Sequence, residues 1–487
     1  MTLGLRLALV ALLCMLGLAR PAGAYSVLTH EQLIDLTWDS SIVPLLLSRY
    51  PTLTPAQIEH ARAYAYGGCV IQDIGYYPFG DANFSNLTHY VRSGDFVVNL
   101  FRNAGNADEL AFAAGALSHY IGDTIGHSEA TNRAVPIEFP ALGQRYGLSV
   151  NYAQGEHQHV QTEFAFDINE IAHHRFAPLP YLRHVGLQVP TRQLALAFYQ
   201  TYGLREDFTD HRRSRINVRG YRFAVRGFIP RIAFAVTLLH RRHEPSDLTT
   251  DPDFQRLTSE LTTISQKNHW DTYRGKAGVG TYCLAGFLFI LPKVGALKLV
   301  AVKGPTQQTE ADYIHSVMRS ADQLDAQLRR FTPPPATKLT ASLAASEDTH
   351  SDPAPSQPLP ALPGAEQQIP RGSHDPHHPL LNRDLDTGYP VRPSGYSLTD
   401  ATYARLLHIL ALHPANAVPP GIKADILIYY ADLSLPFATK NDPSAWATVQ
   451  QDLITLKAIP INTEPLPYPT YGTGNEDIIP TPDSPVE

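Results

Sequence analysis

The chain has 487 residues, with 39 Lys and Arg against 46 Asp and Glu and a formal net charge of −7. That balance excludes a protein that holds nucleic acid mainly by electrostatics, because such proteins neutralise phosphates with clustered Lys and Arg. It leaves room for an enzyme that grips phosphate through metal ions, and the length suits one large domain with an appendage.

Residues 1–24 have the make-up of a secretory signal. Arg6 supplies a short positive n-region, Leu7 to Leu18 an apolar h-region, and Ala22, Gly23 and Ala24 a small-residue cleavage site. The apolar run is well short of the roughly 20 residues a spanning helix needs. Cleavage makes Tyr25 the first residue of the mature chain and removes Arg6 and Arg20, so the mature protein is more acidic. The expected location is secreted or periplasmic. An exporting compartment can pair the two remaining cysteines, Cys69 and Cys283, but two distant cysteines leave the question open.

Residues 25–330 carry helical periodicity in the stretches 55–66, 107–127 and 191–202, which predicts an all-α, multi-helical domain. Residues 331–395 read as a Pro-rich linker (TPPPATK, SDPAPSQPLPALPG, SHDPHHP) with little capacity to pack a core. A small helical region is expected over 396–462, where TDATYARLLHILALH and DPSAWATVQQDLITLKAI read as amphipathic helices opened by Thr or Asp. The last segment, 463–487, is again Pro- and Thr-rich and is expected to be a disordered tail.

Histidines and carboxylates recur through the large domain. In GALSHYIGDTIGHSEATN, His119, Asp123 and His127 are four residues apart, and each step of four advances only about 40° around a helix. They share a face, and zinc accepts both imidazole nitrogen and carboxylate oxygen. His159 and Glu163 repeat the spacing in HQHVQTEFAFD, with His157 aimed elsewhere. Asp73 is expected at a helix end opening into a loop, and His89 in the loop that follows. The sequons at Asn83 and Asn86 fall in that same stretch and are taken as chance. His173, His174, His184, His211, His240 and His243 lie among arginines and are assigned no site, nor are His374, His377 and His378 in the linker. The apolar stretch 277–292 reads as a buried helix pair or as a surface that touches lipid through Lys293 and Lys298.

Taken in order, Tyr25, His30, Asp73, His89, His119, Asp123, His127, His159 and Glu163 resemble the ligand set of the zinc-dependent phospholipases C and the related single-strand-specific zinc nucleases. Members mature to an N-terminal Trp whose amine and carbonyl chelate a metal; Tyr25 stands there in this chain, and main-chain chelation survives the exchange. His127 follows Asp123 by four residues rather than six, as in the bacterial subgroup of zinc-dependent phospholipases C. The resemblance implies three zinc ions. One is held by Asp73, His89, His119 and a bridging Asp123, a second by Tyr25 main-chain atoms, His30 and Asp123, and a third by His127, His159 and Glu163. It also implies Asp73 as the residue that orients or deprotonates an attacking water. The expected protein is therefore a phosphodiester hydrolase acting on phospholipid, with peripheral contact at a membrane surface and no stable nucleic-acid partner. A single-strand-specific nuclease or nucleotidase is the first alternative, and a zinc-braced secreted binding protein the second.

Overall fold

The computed structural model describes residues 26–77, 80–208, 218–239, 248–275, 282–286, 304–331 and 380–462. Among them the chain is all-α, without strands. The helices that build the core and the site are α1 (Val27–Thr37), α2 (Pro55–Gly68), α3 (Ala82–Tyr90), α4 (Ser93–Arg102), α5 (Ala107–Gly126), α6 (Glu156–Ala172), α7 (Thr191–Tyr202), α8 (Gln307–Phe331), α9 (Ser397–Ala411), α10 (Pro420–Tyr429) and α11 (Pro443–Ala458). Three of them, α2, α5 and α7, fall where the periodicity of the sequence predicts helices.

Local chemistry starts the two central helices. Thr54 caps α2 through a reciprocal capping box with Gln57, and Pro55 occupies the first turn, where its missing N–H costs nothing. The Asn106 side chain caps α5 by accepting from the Glu109 N–H, with Asp108 and Glu109 placed at the positive end of the helix. The two helices then pack along each other closely enough that glycines are required. A Cβ on Gly115 would lie 2.2 Å from the Ala65 carbonyl oxygen, and one on Gly68 would lie 2.1 Å from that of Phe112. Around this pair a single large apolar core runs from Val27 to Ile459.

A buried ion pair ties α1 to α2. Arg62 Nη2 lies 2.6 Å from Asp35 Oδ1, both side chains being buried, and the Tyr66 hydroxyl donates to the same oxygen at 2.6 Å. Removing one partner of such a pair strands the other charge in the core, so Arg62→Leu is expected to cost about 3–5 kcal/mol. Chemical denaturation measures that loss, and a midpoint equal to wild type would contradict it.

Two sequence expectations change. His89 lies in the last turn of α3, not in a loop, because Asp81 accepts from the Asn83 N–H and starts a helix that the polar text ANFSNLTHY conceals. Residues 380–395, assigned by composition to the linker, pack against the helical domain. The Asp95 N–H donates to Asn382 Oδ1 at 3.0 Å, the Tyr120 hydroxyl to the Leu381 carbonyl at 2.6 Å, and the Ser93 hydroxyl to the Arg383 carbonyl at 2.6 Å. A composition window averages over a Pro-rich stretch and cannot see that its backbone groups find partners far away in sequence. Helices α9 to α11 follow and share the main core through Leu406, Leu407, Ile422 and Ile426. Cys69 is buried, Cys283 is exposed, and both are free. Both sequon amides are engaged internally: Asn83 accepts from Arg405 Nε at 2.9 Å, and Asn86 from the Tyr76 hydroxyl at 2.9 Å.

Candidate metal centre

Four segments meet at one buried position beneath the α2–α5 contact. His30 comes from the first turns of α1, and Asp73 from a short 3-10 turn, Ile71–Gly75, that follows α2. That turn is held to α5 by Gln72, whose amide donates to the Ala116 carbonyl at 2.9 Å. His89 ends α3, while His119 and Asp123 lie one helical turn apart on α5. Every one of these side chains is buried.

Asp123 is the centre of the arrangement. Its Oδ1 is 3.2 Å from His30 Nε2, and its Oδ2 is 3.2 Å from His89 Nε2 and 3.1 Å from His119 Nε2. Asp73 Oδ1 approaches His89 Nε2 at 3.3 Å. The carboxylate of Asp123 thus faces two sets of imidazoles with its two oxygens.

His127 does not join that group. His127 closes α5, its backbone N–H bonded to the Asp123 carbonyl, and the chain then enters a π-helical turn, His127–Thr131. The His127 ring is stacked with that of His159 at 4.9 Å, and its Nδ1 is 2.8 Å from His159 Nε2. On α6, His159 Nε2 lies 3.1 Å from Glu163 Oε1. Three sets of donor atoms result, each close enough to hold one metal ion: His30, His119 and Asp123; Asp73, His89 and His119; His127, His159 and Glu163.

The donor atoms fit a metal better than they fit one another. Asp73 Oδ1, both Asp123 oxygens, Glu163 Oε1 and His127 Nε2 are buried without a hydrogen bond, although nitrogen and oxygen atoms lie within 4 Å. Buried polar atoms are rarely left in that state. Zinc bonds of about 2.0–2.1 Å in a tetrahedron separate neighbouring donors by about 3.3 Å, close to the 3.1 to 3.3 Å separations around Asp123 and at Glu163. Backbone contacts orient two of the rings. His119 Nδ1 lies 3.0 Å from the Cys69 carbonyl and His89 Nδ1 2.7 Å from that of Ser85. A carbonyl only accepts, so Nδ1 carries a proton and Nε2 is the nitrogen turned inward.

Electrostatics points the same way. Burial pushes the His159 imidazole down to about 3, and burial with neighbouring His159 holds His127 well below its usual value, so both rings are neutral, as ligands must be. Burial would raise the Asp123 carboxyl, but His119, His30 and His89 hold it well below the carboxylate range. Glu163 is pushed well up by burial and then by Asp123, Asp73 and Asp386. A cation at the centre would favour the ionised form of both carboxylates.

Of the nine expected ligands, the structure brings together His30, Asp73, His89, His119, Asp123, His127, His159 and Glu163; Tyr25 lies outside the described residues. His157 is exposed, His173 half-buried, and His174 and His184 exposed, all apart from the centre. His211, His240, His243 and the linker histidines lie outside the described residues, as does most of the apolar stretch 277–292 with Lys293 and Lys298. No helix among the described residues is long and apolar enough to cross a membrane. One carboxylate at the centre has no counterpart in the sequence reading: Asp386 Oδ1 lies 3.7 Å from His127 Nε2. It follows a Pro-rich stretch, with no helical spacing to mark it.

Among the described residues the chain is all-α and holds three adjoining His and carboxylate sets, the donor chemistry of a multi-helical metal centre. Residues 29–207 match the model of the family described as Zinc dependent phospholipase C, which supports a likeness of this segment to that family. The family implies a hydrolase of the zinc-dependent phospholipase C type. No curated protein and no solved structure matches the chain.

Proposed function

We propose that this protein is a three-zinc phospholipase C that cleaves the glycerol–phosphate ester of phospholipids. Its strongest support is the two-sided Asp123 carboxylate, 3.2 Å from His30 on one oxygen and 3.2 and 3.1 Å from His89 and His119 on the other. In this proposal Asp73, His89, His119 and Asp123 hold one ion, Tyr25 main-chain atoms, His30 and Asp123 a second, and His127, His159 and Glu163 a third. Bound zinc supplies Lewis acidity toward phosphoryl oxygen and makes water a usable nucleophile at neutral pH.

The chain's own groups do the rest. Asp73 orients the attacking water and takes its proton, while the buried imidazoles keep competing water out of the centre. The water oxygen bonds to phosphorus, the bond from phosphorus to the glycerol oxygen breaks, and the proton ends on that oxygen. Diacylglycerol and a phosphorylated headgroup leave, with no covalent enzyme intermediate.

Export is part of the proposal, with cleavage after Ala24 freeing the Tyr25 amine in a secreted or periplasmic protein that meets its substrate at a membrane surface. Supporting it, the start of α1 is anchored beside the centre. The Thr29 hydroxyl donates to Asp167 Oδ1 at 2.8 Å, and the Leu28 N–H to Asp167 Oδ2 at 3.3 Å, one turn beyond Glu163 on α6.

The test combines metal analysis with assays on phosphatidylcholine vesicles and single-stranded DNA, with and without chelator. Phosphocholine release that chelation abolishes is expected, and Asp73→Asn is expected to lower it at least about 100-fold, the usual contribution of a general base. Cleavage of DNA alone would favour the nuclease, and zinc without either activity a zinc-braced binding protein.

A further inference from the structure

His127 uses both ring nitrogens. Its Nδ1 faces His159 Nε2 at 2.8 Å, inside the set that includes Glu163. Its Nε2, buried and without a hydrogen bond, faces away from that set toward Asp386 Oδ1 at 3.7 Å. Asp386 is 2 % exposed and comes from the C-terminal segment, far beyond the family-matched residues 29–207.

The Asp386 carboxylate is held in place from every side. The Tyr90 and Tyr396 hydroxyls donate to Oδ2 at 2.9 and 2.8 Å, which leaves Oδ1 turned to the imidazole. Its backbone N–H donates to Asp384 Oδ1 at 3.0 Å, and its carbonyl accepts from the Asn132 amide at 2.8 Å. One residue earlier, the Leu385 N–H donates to the His89 carbonyl at 3.1 Å, which pins the segment to a second residue of the centre. Five contacts from α3, the stretch just after α5 and the C-terminal segment itself therefore fix one carboxylate against one ligand ring.

We propose that Asp386 is a positioning residue of the metal centre: it accepts the Nε2–H of His127, fixes the tautomer that presents Nδ1, and so completes the site of His127, His159 and Glu163. A ligating imidazole normally donates its outer N–H to a carboxylate or carbonyl, and that partner sets both ring orientation and basicity. His89 and His119 use the carbonyls of Ser85 and Cys69 for this purpose; His127 has Asp386. The two distances around the ring deviate in a consistent way. The 2.8 Å between His127 and His159 is about 0.5 Å shorter than the edge of a zinc tetrahedron. The 3.7 Å to Asp386 is about 0.5 Å longer than a hydrogen bond. A small movement of His127 away from His159 improves both.

The inference rests on the metal reading of the centre, so the test separates the two. Zinc content and affinity are measured by titration against a chromophoric chelator for wild type, Asp386→Asn and the double variant Tyr90→Phe/Tyr396→Phe. Cobalt loading is followed by visible absorption, and the Tm of each chelated protein is recorded. Asp386→Asn keeps an oxygen for the tyrosines but offers His127 an amide in place of a carboxylate. It is expected to weaken one of three ions about 10- to 100-fold, to alter the cobalt band of that equivalent alone, and to leave the chelated Tm unchanged. The tyrosine variant, which keeps the carboxylate but no longer fixes its orientation, is expected to weaken the same ion by less than Asp386→Asn does. Three ions at wild-type affinity in Asp386→Asn, or a metal loss that merely follows a lowered chelated Tm, would overturn the role of Asp386 and leave the metal reading standing. A wild-type chain that takes up no metal overturns the metal reading, and this role with it.

Discussion

If the centre is the proposed three-zinc site, Asp123→Ala is expected to reduce the bound zinc from three ions per chain to one and to lower hydrolytic turnover at least about 1,000-fold. Asp123 faces His30 with one oxygen and His89 and His119 with the other, so in the proposed three-ion arrangement one substitution removes a donor from two sites. The set of His127, His159 and Glu163 keeps all its donors and should still load. A metal-assisted reaction owes several kcal/mol of its barrier reduction to the ions, and about 4 kcal/mol corresponds to a factor of about 1,000 in rate. Stability reports the same loss independently of substrate. An ion at a thousandfold above its Kd adds about 4 kcal/mol per site, so the rise in Tm on adding zinc should shrink in the variant. Elemental analysis and paired melting curves with zinc and with chelator decide it. Three ions at wild-type affinity would remove Asp123 from the centre.

A chain ending at residue 331 is expected not to form a soluble, folded protein, although it retains all the residues matched to the family. The segment 380–462 contributes Leu380, Leu385, Tyr403, Leu406, Leu407, Ile422 and Ile426 to the main core, and burying each such side chain is worth about 1.5–3 kcal/mol. Whole-protein stability is only about 5–15 kcal/mol. Truncation also uncovers polar groups that are arranged for this segment. Arg92 is fully buried, with its guanidinium close enough to Gly421 that a Cβ there would lie 2.8 Å from Nη2. Tyr120, Ser93 and Asp95 lose their partners on Leu381, Arg383 and Asn382. Sedimentation of the expressed truncation, alone and together with a separate 380–462 fragment, measures the effect. A truncated chain that is soluble, melts cooperatively and binds zinc would show the C-terminal segment to be an independent appendage.

Much of the centre was legible before folding because its signals are local. His119 with Asp123, and His159 with Glu163, sit four apart on helices, and that spacing aligns side chains whatever else the chain does. The helices themselves announce their ends through Thr54, Pro55 and Asn106. His89 was harder, since ANFSNLTHY has too little apolar periodicity to be read as helix, and only the Asp81 cap starts it. The division of the chain after 330 was read from composition, and composition does not record which individual residues are covered.

The sequence by itself determined the helical class of the large domain, the donor types and the order in which they come along the chain, because capping, periodicity and the i, i+4 rule act within a few residues. The tertiary structure decided which donor atoms lie close together, and that Asp386 reaches the centre from more than 250 residues away. Those choices depend on the close α2–α5 contact and on hydrogen bonds between distant segments. No short window of the chain contains both partners of such contacts, so only the folded packing can select them.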